Sequence, residues 1–366
     1  MEKIRSFILR DTVMLNYVSA MLFIVAGYKF YTDLAPFFQN SYNAVWRPAF
    51  ADHVTDWSVN FRDTAFCLAC VYAAVLPFYY LGKGMSKSAY AMLGLSKALM
   101  LKPLTEDEKQ GVCSYLLKCF FIPFIINAAI YHAKDLNYLT ADLIRYWFVF
   151  DQYDRPFFNS DVTFLTFKCA FAWVYTFDII PFIVGYLIDA DALDNRLKSV
   201  ETTAMGWLFC IVCYPPFNTA LSQFLPPNVP EYAFATPDFV YGPIIQIALN
   251  YLALILLAAY ASASVSLGWK ASNLTSRGVV STGLYRFVRH PAYICKNAAW
   301  WVFSLSWAYQ QHLHGKPYLF NLFALACWTG IYFMRAITEE RHLARSDVEY
   351  LHYCHEVKYR FIPYIV

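Results

Sequence analysis

The sequence predicts an all-α, multi-pass integral membrane protein of about eight transmembrane helices. Three observations predict it. The 366 residues are 59% hydrophobic, 19% aromatic and only 15% charged, and the mean hydropathy is +0.37; that leaves too little polar surface for a soluble domain. Apolar runs of about 20 residues, the length that crosses a bilayer core, recur along the chain. The Lys and Arg residues collect in alternate loops.

Taken in order, Met1–Arg10 carries Lys3, Arg5 and Arg10 ahead of the first apolar run. No clean small-residue cleavage site follows, so that run is read as a retained anchor rather than a signal peptide. Spans are expected near 13–31, 62–82, 113–133, 162–188, 203–225, 239–263, 293–310 and 318–337. The fifth contains Pro215-Pro216, which removes helical hydrogen bonds and is expected to kink or break it, with Asn218 nearby to re-satisfy the freed backbone. Between the second and third spans, residues 87–102 (KSAYAMLGLSKALMLK) are amphipathic and basic and suit the membrane interface. Thr105-Glu-Asp-Glu108 is a capping-box pattern that should start the third helix. Residues 134–161 read as a long aromatic loop at headgroup level.

With both termini cytoplasmic, the N-terminus, the loops at 83–112, 189–202 and 264–296, and the tail hold roughly 20 of the basic residues, and the other side holds about 7. The catalytic face is therefore expected in the cytoplasm. A net charge of +3 points to no nucleic-acid partner. The ten cysteines lie mostly inside apolar runs, including the CxxC spacings Cys67/Cys70 and Cys210/Cys213. They read as reduced core residues, and no metal is expected.

Chemistry concentrates in two places. Ser281–Lys296 (STGLYRFVRHPAYICK) holds Tyr285, Arg289, His290 and Tyr293 within nine residues, with Pro291 where it can open a helix at no hydrogen-bond cost. A helix N-terminus is a natural anion site, and Gly278 and Gly283 let the backbone approach a ligand. The plainer reading is a positive-inside loop with belt aromatics; it accounts for Arg286, Arg289 and Lys296 but not for His290-Pro291. The last span leaves the membrane as Arg335-Ala-Ile-Thr-Glu339-Glu340-Arg341. Arg335 and Glu339 share a helix face, so they are either an i,i+4 surface ion pair or a fork for a carboxylate beside a seat for an ammonium. Lys118, Lys168 and Asp178 are the ionisable residues inside spans. The two lysines lie near enough to helix ends to snorkel, and Asp178 lies deeper.

At these residues the sequence resembles a known family. GLYRFVRHPAY (Gly283–Tyr293), TEE (Thr338–Glu340) and EYLHYCHEVKYRFIPYI (Glu349–Ile365) are similar to the C-terminal core of isoprenylcysteine carboxyl methyltransferases and their phospholipid-methyltransferase relatives. The similarity covers roughly the last 95 residues. Residues 241–366 are thus read as a methyltransferase-like core, and residues 1–240 as helices of unplaced similarity on the acceptor side.

The resemblance implies S-adenosyl-L-methionine as cofactor and a lipidic or lipid-modified acceptor. It implies that Arg277, Gly278, Val279, Val280 and Tyr285 line an adenosine pocket. Arg289, His290, Pro291, Ala292 and Tyr293 would contact the cofactor's ribose or methionine end, with Glu340 and Tyr353 also at the cofactor. Glu339 would hold its amino group and Arg335 would orient the acceptor; these two are the catalytic pair. Tyr350, Tyr353 and Tyr359 would close a lid. Two features depart from the pattern. Cys295-Lys296-Asn297 follows the motif tyrosine, and the chain ending also resembles membrane sterol reductases, which bind NADPH. An NADPH-dependent reductase is therefore the alternative, and a transporter or receptor built on Asp178 is a third reading. A carboxylate acceptor needs no base; for a lipid amine the sequence offers only His290 or Glu340.

Overall fold

The computed structural model describes residues 2–50, 53–149, 160–227 and 243–363. Glu2–Lys29 (α1) runs into a π-helical turn at Phe30–Leu34, followed by Pro36–Ser41 (α2). Two small antiparallel ladders come next: Val45–Trp46 (β1) pairs with Val59–Asn60 (β4) around Ala49–Phe50 (β2) and His53–Val54 (β3). Phe61–Tyr79 (α3), Lys87–Leu99 (α4), Glu106–Val149 (α5) and Ser160–Leu187 (α6) follow. Ser199–Val200 (β5) precedes Ala204–Ile211 (α7), Phe217–Phe224 (α8) and Pro243–Leu267 (α9). The chain closes with Thr275–Ser276 (β6), Pro291–Leu313 (α10), Leu319–Ser346 (α11) and Val348–Glu356 (α12).

This is an all-α, multi-pass membrane architecture. Among the described residues six helices are long and apolar enough to cross a membrane, lying within α1, α3, α5, α6, α9 and α11. The expected eight are corrected at two places. The stretch 203–225 is broken between α7 and α8, where Pro215 and Pro216 supply no amide hydrogen to continue the helical ladder. The chain closes instead in tighter turns, the Cys213 amide donating to the Cys210 carbonyl and the Tyr214 amide to the Ile211 carbonyl. The stretch 293–310 does form the continuous α10, but Lys296, Asn297 and, at its far end, Gln310, Gln311 and His312 make it less apolar than the six.

Local sequence explains several helix starts. Asn60, Ser86, Thr203 and Asp347 each accept a hydrogen bond from a first-turn amide of α3, α4, α7 and α12. The capping box forms: the Thr105 amide donates to Glu108 Oε2 at 2.9 Å and the Glu108 amide to Thr105 Oγ1 at 3.4 Å. Lys97 on α4 pairs with Glu108 Oε1 at 2.6 Å, which ties the amphipathic helix to α5. The expected loop after residue 133 is helix up to Val149. The 44 residues of α5 extend about 66 Å, roughly twice a bilayer core. Residues 150–159 and most of the 226–238 loop lie outside the described residues.

The alternate loops meet at one end of the bundle. Asn16 bonds Gly84 and Ser86, Gln110 bonds Val200 through both its amide atoms, and β5 pairs antiparallel with β6. The Tyr79 hydroxyl donates to the Asp189 carbonyl at 2.7 Å. At the opposite end Asn137 bonds the backbone of Ala49, and Asn321 and Trp328 donate to the carbonyls of Pro226 and Leu225. The loops at 83–112, 189–202 and 264–296 therefore share a face with the tail. One close approach requires glycine: a Cβ at Gly185 on α6 would overlap the Ala271 carbonyl, so Gly185 lets α6 dock on the loop before β6.

Candidate functional site

At the end where β5 meets β6 lies an open cavity holding about 1150 Å³ of empty space, part of it continuous with solvent. Its lower wall is the loop between α9 and α10. Arg277 is buried; its Nε donates to Ser272 Oγ at 2.9 Å and its Nη1 to the Asn195 carbonyl. Removal from water holds the Arg277 guanidinium below the usual arginine range. Its neighbour Gly278 adopts φ +106°, and a Cβ there would lie 3.3 Å from Lys270 Nζ and 3.7 Å from Lys198 Nζ. Gly278, Val279 and Val280 thus present backbone and small side chains to the cavity. Gly283, also left-handed, packs against Ser266 instead.

Pro291 occupies the first turn of α10, fully buried, and its fixed φ starts the helix. The tail locks the stretch before it: the Arg289 and His290 amides donate to the carbonyls of Tyr359 and Arg360 at 3.0 and 2.9 Å. Glu340 completes the lock. Its Oε1 lies 3.2 Å from Arg289 Nε and 3.1 Å from His290 Nε2, and its Oε2 accepts from Arg360 Nη2 at 2.7 Å. The acidic partner holds Arg360 above the usual arginine range. The Tyr353 hydroxyl donates to the Tyr285 carbonyl at 2.7 Å, seating α12 on the motif. Burial pushes the phenols of Tyr285, Tyr350 and Tyr353 well up, so all three stay neutral hydrogen-bonding groups.

Arg335 and Glu339 enter from α11. The Arg335 guanidinium is buried among the rings of Tyr214, Tyr293 and Tyr332, 5.1–5.8 Å from their centres. Its Nη2 donates to Asn273 Oδ1 at 2.5 Å and to the Tyr214 hydroxyl at 3.1 Å. Among the described residues no carboxylate lies within 4.0 Å of it, Glu339 included. Glu339 Oε2 accepts instead from the Tyr293 hydroxyl at 2.6 Å. The sequence alternative of a simple i,i+4 ion pair is therefore not what forms. A buried cation and a neighbouring carboxylate both face one aromatic chamber, which suits a ligand carrying an anion and an ammonium.

Of the residues singled out in the sequence, Arg277 to Val280, Tyr285, Arg289, His290, Ala292, Tyr293, Arg335, Glu339 and Tyr353 line this cavity, as does Tyr350. Pro291, Glu340 and Tyr359 do not: they hold the wall up from behind. Sequence reasoning missed Tyr214, Asn273, Tyr260, Lys270 and Tyr332. Tyr332 carried a signal, being one turn before Arg335 on the same helix face; the others come from distant segments. A smaller cavity of about 320 Å³ lies behind, sharing Asn273, Thr275, Arg335 and Glu339 and reaching Glu201 and His342. Among the described residues no three His, Cys, Asp or Glu side chains gather to hold a metal ion.

The family described as "Protein of unknown function (DUF1295)" matches residues 232–357, about a third of the chain, which includes the cavity lining except Phe182 and Tyr214. No curated protein and no solved structure matches the chain.

Proposed function

We propose that this protein is an S-adenosylmethionine-dependent membrane methyltransferase acting on a lipidic or lipid-modified acceptor. The observation that carries the reading is the buried Arg335 guanidinium, with no carboxylate partner among the described residues, set beside the Glu339 carboxylate in a tyrosine-walled cavity. The residues present fit the cofactor. Glu339 offers a seat for its ammonium, Gly278–Val280 a close backbone approach, and Tyr285 and Tyr353 flat walls for a purine. When bound, the cofactor supplies an electrophilic methyl group on a sulfonium. The chain's own contribution is alignment and exclusion of water, which suffice for an in-line displacement. Arg335 holds the anionic part of the acceptor, and the ring stack of His290 on Tyr293, 5.3 Å between centres, fixes the wall against which the partners meet.

A second reading has its own observation. The Lys198 and Lys270 ammonium groups stand over Gly278 at the cavity mouth, where a phosphate would be attracted; the sulfonium cofactor has none, whereas NADPH of a sterol-reductase-like enzyme does. Both lysines are already paired, with Asp347 and Asp194 at 2.8 Å each, which weakens this alternative. Titrating the purified protein with S-adenosylhomocysteine and, separately, NADPH decides. The methyltransferase reading expects S-adenosylhomocysteine to stabilise the fold by about 3 kcal/mol at hundredfold excess over Kd; stabilisation by NADPH alone makes it a reductase.

The cavity face is proposed as cytoplasmic, with both termini on that side, from the distribution of basic residues. Thiol labelling of single-cysteine variants between Lys270 and Lys296 in sealed vesicles tests this. Labelling from the non-cytoplasmic side would refute it.

A further inference from the structure

Asp178 is a buried acid that the site described above does not use. It lies on α6 within a membrane-spanning stretch, where an ionisable side chain is costly and is retained for a partner or a function. Tyr260 on α9 donates to its Oδ2 at 2.6 Å, while Oδ1 completes no hydrogen bond. Tyr260 and Ser264, one turn apart on α9, both line the cavity, as does Lys296 on α10. The Lys296 ammonium sits 5.1 Å from the centre of the Tyr260 ring and 5.3 Å from that of Trp300.

The Tyr260 phenol therefore reaches the cavity with a carboxylate behind its hydroxyl and a cation over its ring. These surroundings equip a phenol to relay a proton: the carboxylate receives the phenolic hydrogen, and the cation steadies negative charge on the ring oxygen. The bases nearer the motif are engaged elsewhere: Glu339 accepts from Tyr293 and is the seat proposed for the cofactor's ammonium. Glu340 is held by Arg289, His290 and Arg360, and His290 is bound to Glu340.

We propose that Tyr260, backed by Asp178, is the proton-transfer residue of this cavity, and that the acceptor nucleophile accordingly carries a proton, as an amine or hydroxyl does and a carboxylate does not. This rests on the methyltransferase reading. In the step, the acceptor atom bonds to the methyl carbon, and the carbon–sulfur bond breaks with its electrons left on sulfur, giving a neutral thioether. The acceptor's proton passes to Tyr260 Oη as the phenolic proton passes to Asp178 Oδ2, and Asp178 later returns it to water. One positive charge leaves the sulfonium and one proton arrives on the carboxylate, so the step balances.

The test uses full-length protein, methyl-tritiated S-adenosylmethionine and, as acceptor, a total lipid extract of the expressing membranes. The expected product keeps its label in mild base, because N-methyl and O-methyl ether groups do not hydrolyse. Tyr260→Phe should lower kcat by about 100-fold and Asp178→Asn by about tenfold, with KM and S-adenosylhomocysteine affinity within about twofold of wild type. Label released by base as methanol, or a Tyr260→Phe kcat within about threefold of wild type, overturns the assignment. If Tyr260→Phe fails to bind S-adenosylhomocysteine, Asp178→Asn decides by the same criteria.

A readout without turnover completes the test. In the ligand-free protein, lowering the pH should produce a carboxylic-acid band in infrared difference spectra that is missing in Asp178→Asn and shifted in Tyr260→Phe. No such band, or a band that Tyr260→Phe leaves unmoved, overturns the proposal, whether or not label is transferred. Failure of the wild type to bind S-adenosylhomocysteine at all instead overturns the methyltransferase reading beneath it.

Discussion

The first three spans and the last third of the chain spend their polar side chains in opposite ways. In the N-terminal part, hydroxyls and amides reach backbone carbonyls of neighbouring segments. Tyr17 donates to Ala73, Tyr31 to Cys119, Tyr72 to Leu187 and Asn16 to Gly84. Each bond fastens one segment to another and is complete in itself, which is what a hydrocarbon environment demands of any polar group it holds. Two of these three spans are little covered by protein: 17% of the most apolar stretch of the first and 6% of that of α3 are buried, against 39% for α5, on which they lean, and 33% for α11. Around α10 and α11, by contrast, charged side chains are buried and only some are neutralised. Glu340 pairs with two guanidinium groups and the His290 ring, whereas Arg335 and Glu339 keep their charge aimed at a cavity. The difference separates scaffold from site: neutral hydrogen bonds between segments hold helices together, whereas Arg335 and Glu339, hydrogen-bonded to neutral partners and not to each other, present charge that a ligand can pair.

The comparison is broken most severely at Glu340. Replacing it with Ala leaves Arg289, His290 and Arg360 without their common acid and releases the tail, and loss of one member of a buried ion cluster costs about 3–5 kcal/mol. Thermal unfolding and limited proteolysis after Tyr350 should both register it, and an unchanged melting temperature would mean that the tail is held by other contacts. A somewhat smaller effect, on function rather than fold, is expected at the free pair. Arg335→Ala should cut turnover by about 100-fold, worth roughly 2.7 kcal/mol of barrier, with cofactor affinity nearly intact. Glu339→Ala should instead weaken cofactor binding about tenfold. Side-by-side calorimetry on the two variants sharpens the contrast; equal and negligible losses would remove both from the site.

In the scaffold the expected changes shrink. Tyr72→Phe removes the 2.5 Å bond to the Leu187 carbonyl and should cost about 1 kcal/mol of stability while leaving ligand binding untouched. A measurable loss of affinity would show that the scaffold and the site are coupled. The smallest effect belongs to the Lys198–Asp347 clasp at the cavity mouth, 2.8 Å long with the lysine half exposed. The hydrogen bond it donates to Asp347 raises the Lys198 ammonium above the usual lysine range. Its contribution is therefore complete below that range, near pH 10.4, and fades as pH rises through the raised value. Exposure and salt hold it to about 0–1 kcal/mol, and Lys198→Met should remove only that part of the pH dependence in denaturant titrations.

What the sequence determined by itself is the part of the protein governed by local rules. The membrane-crossing stretches follow from runs of apolar residues, although α5 continues past its run to Val149. Helix starts follow from Thr105–Glu108 and Pro291, and the break between α7 and α8 from Pro215-Pro216, each set by neighbours a few positions away. The gathering of Arg277–Val280, Tyr285–Tyr293 and Arg335–Glu339 was readable because these short stretches flank just two helices. Tertiary structure alone decided the rest. Glu339 and Glu340 are adjacent and chemically alike, yet successive helix residues point about 100° apart, so packing sends one toward the cavity and the other into the Arg289–Arg360 lock. Packing likewise brought Tyr214 and Asn273 to Arg335, and Tyr260 to Asp178. No sequence period links those segments, because the partner of a buried polar group is set by which helices touch, and that is decided by the shape of the whole bundle.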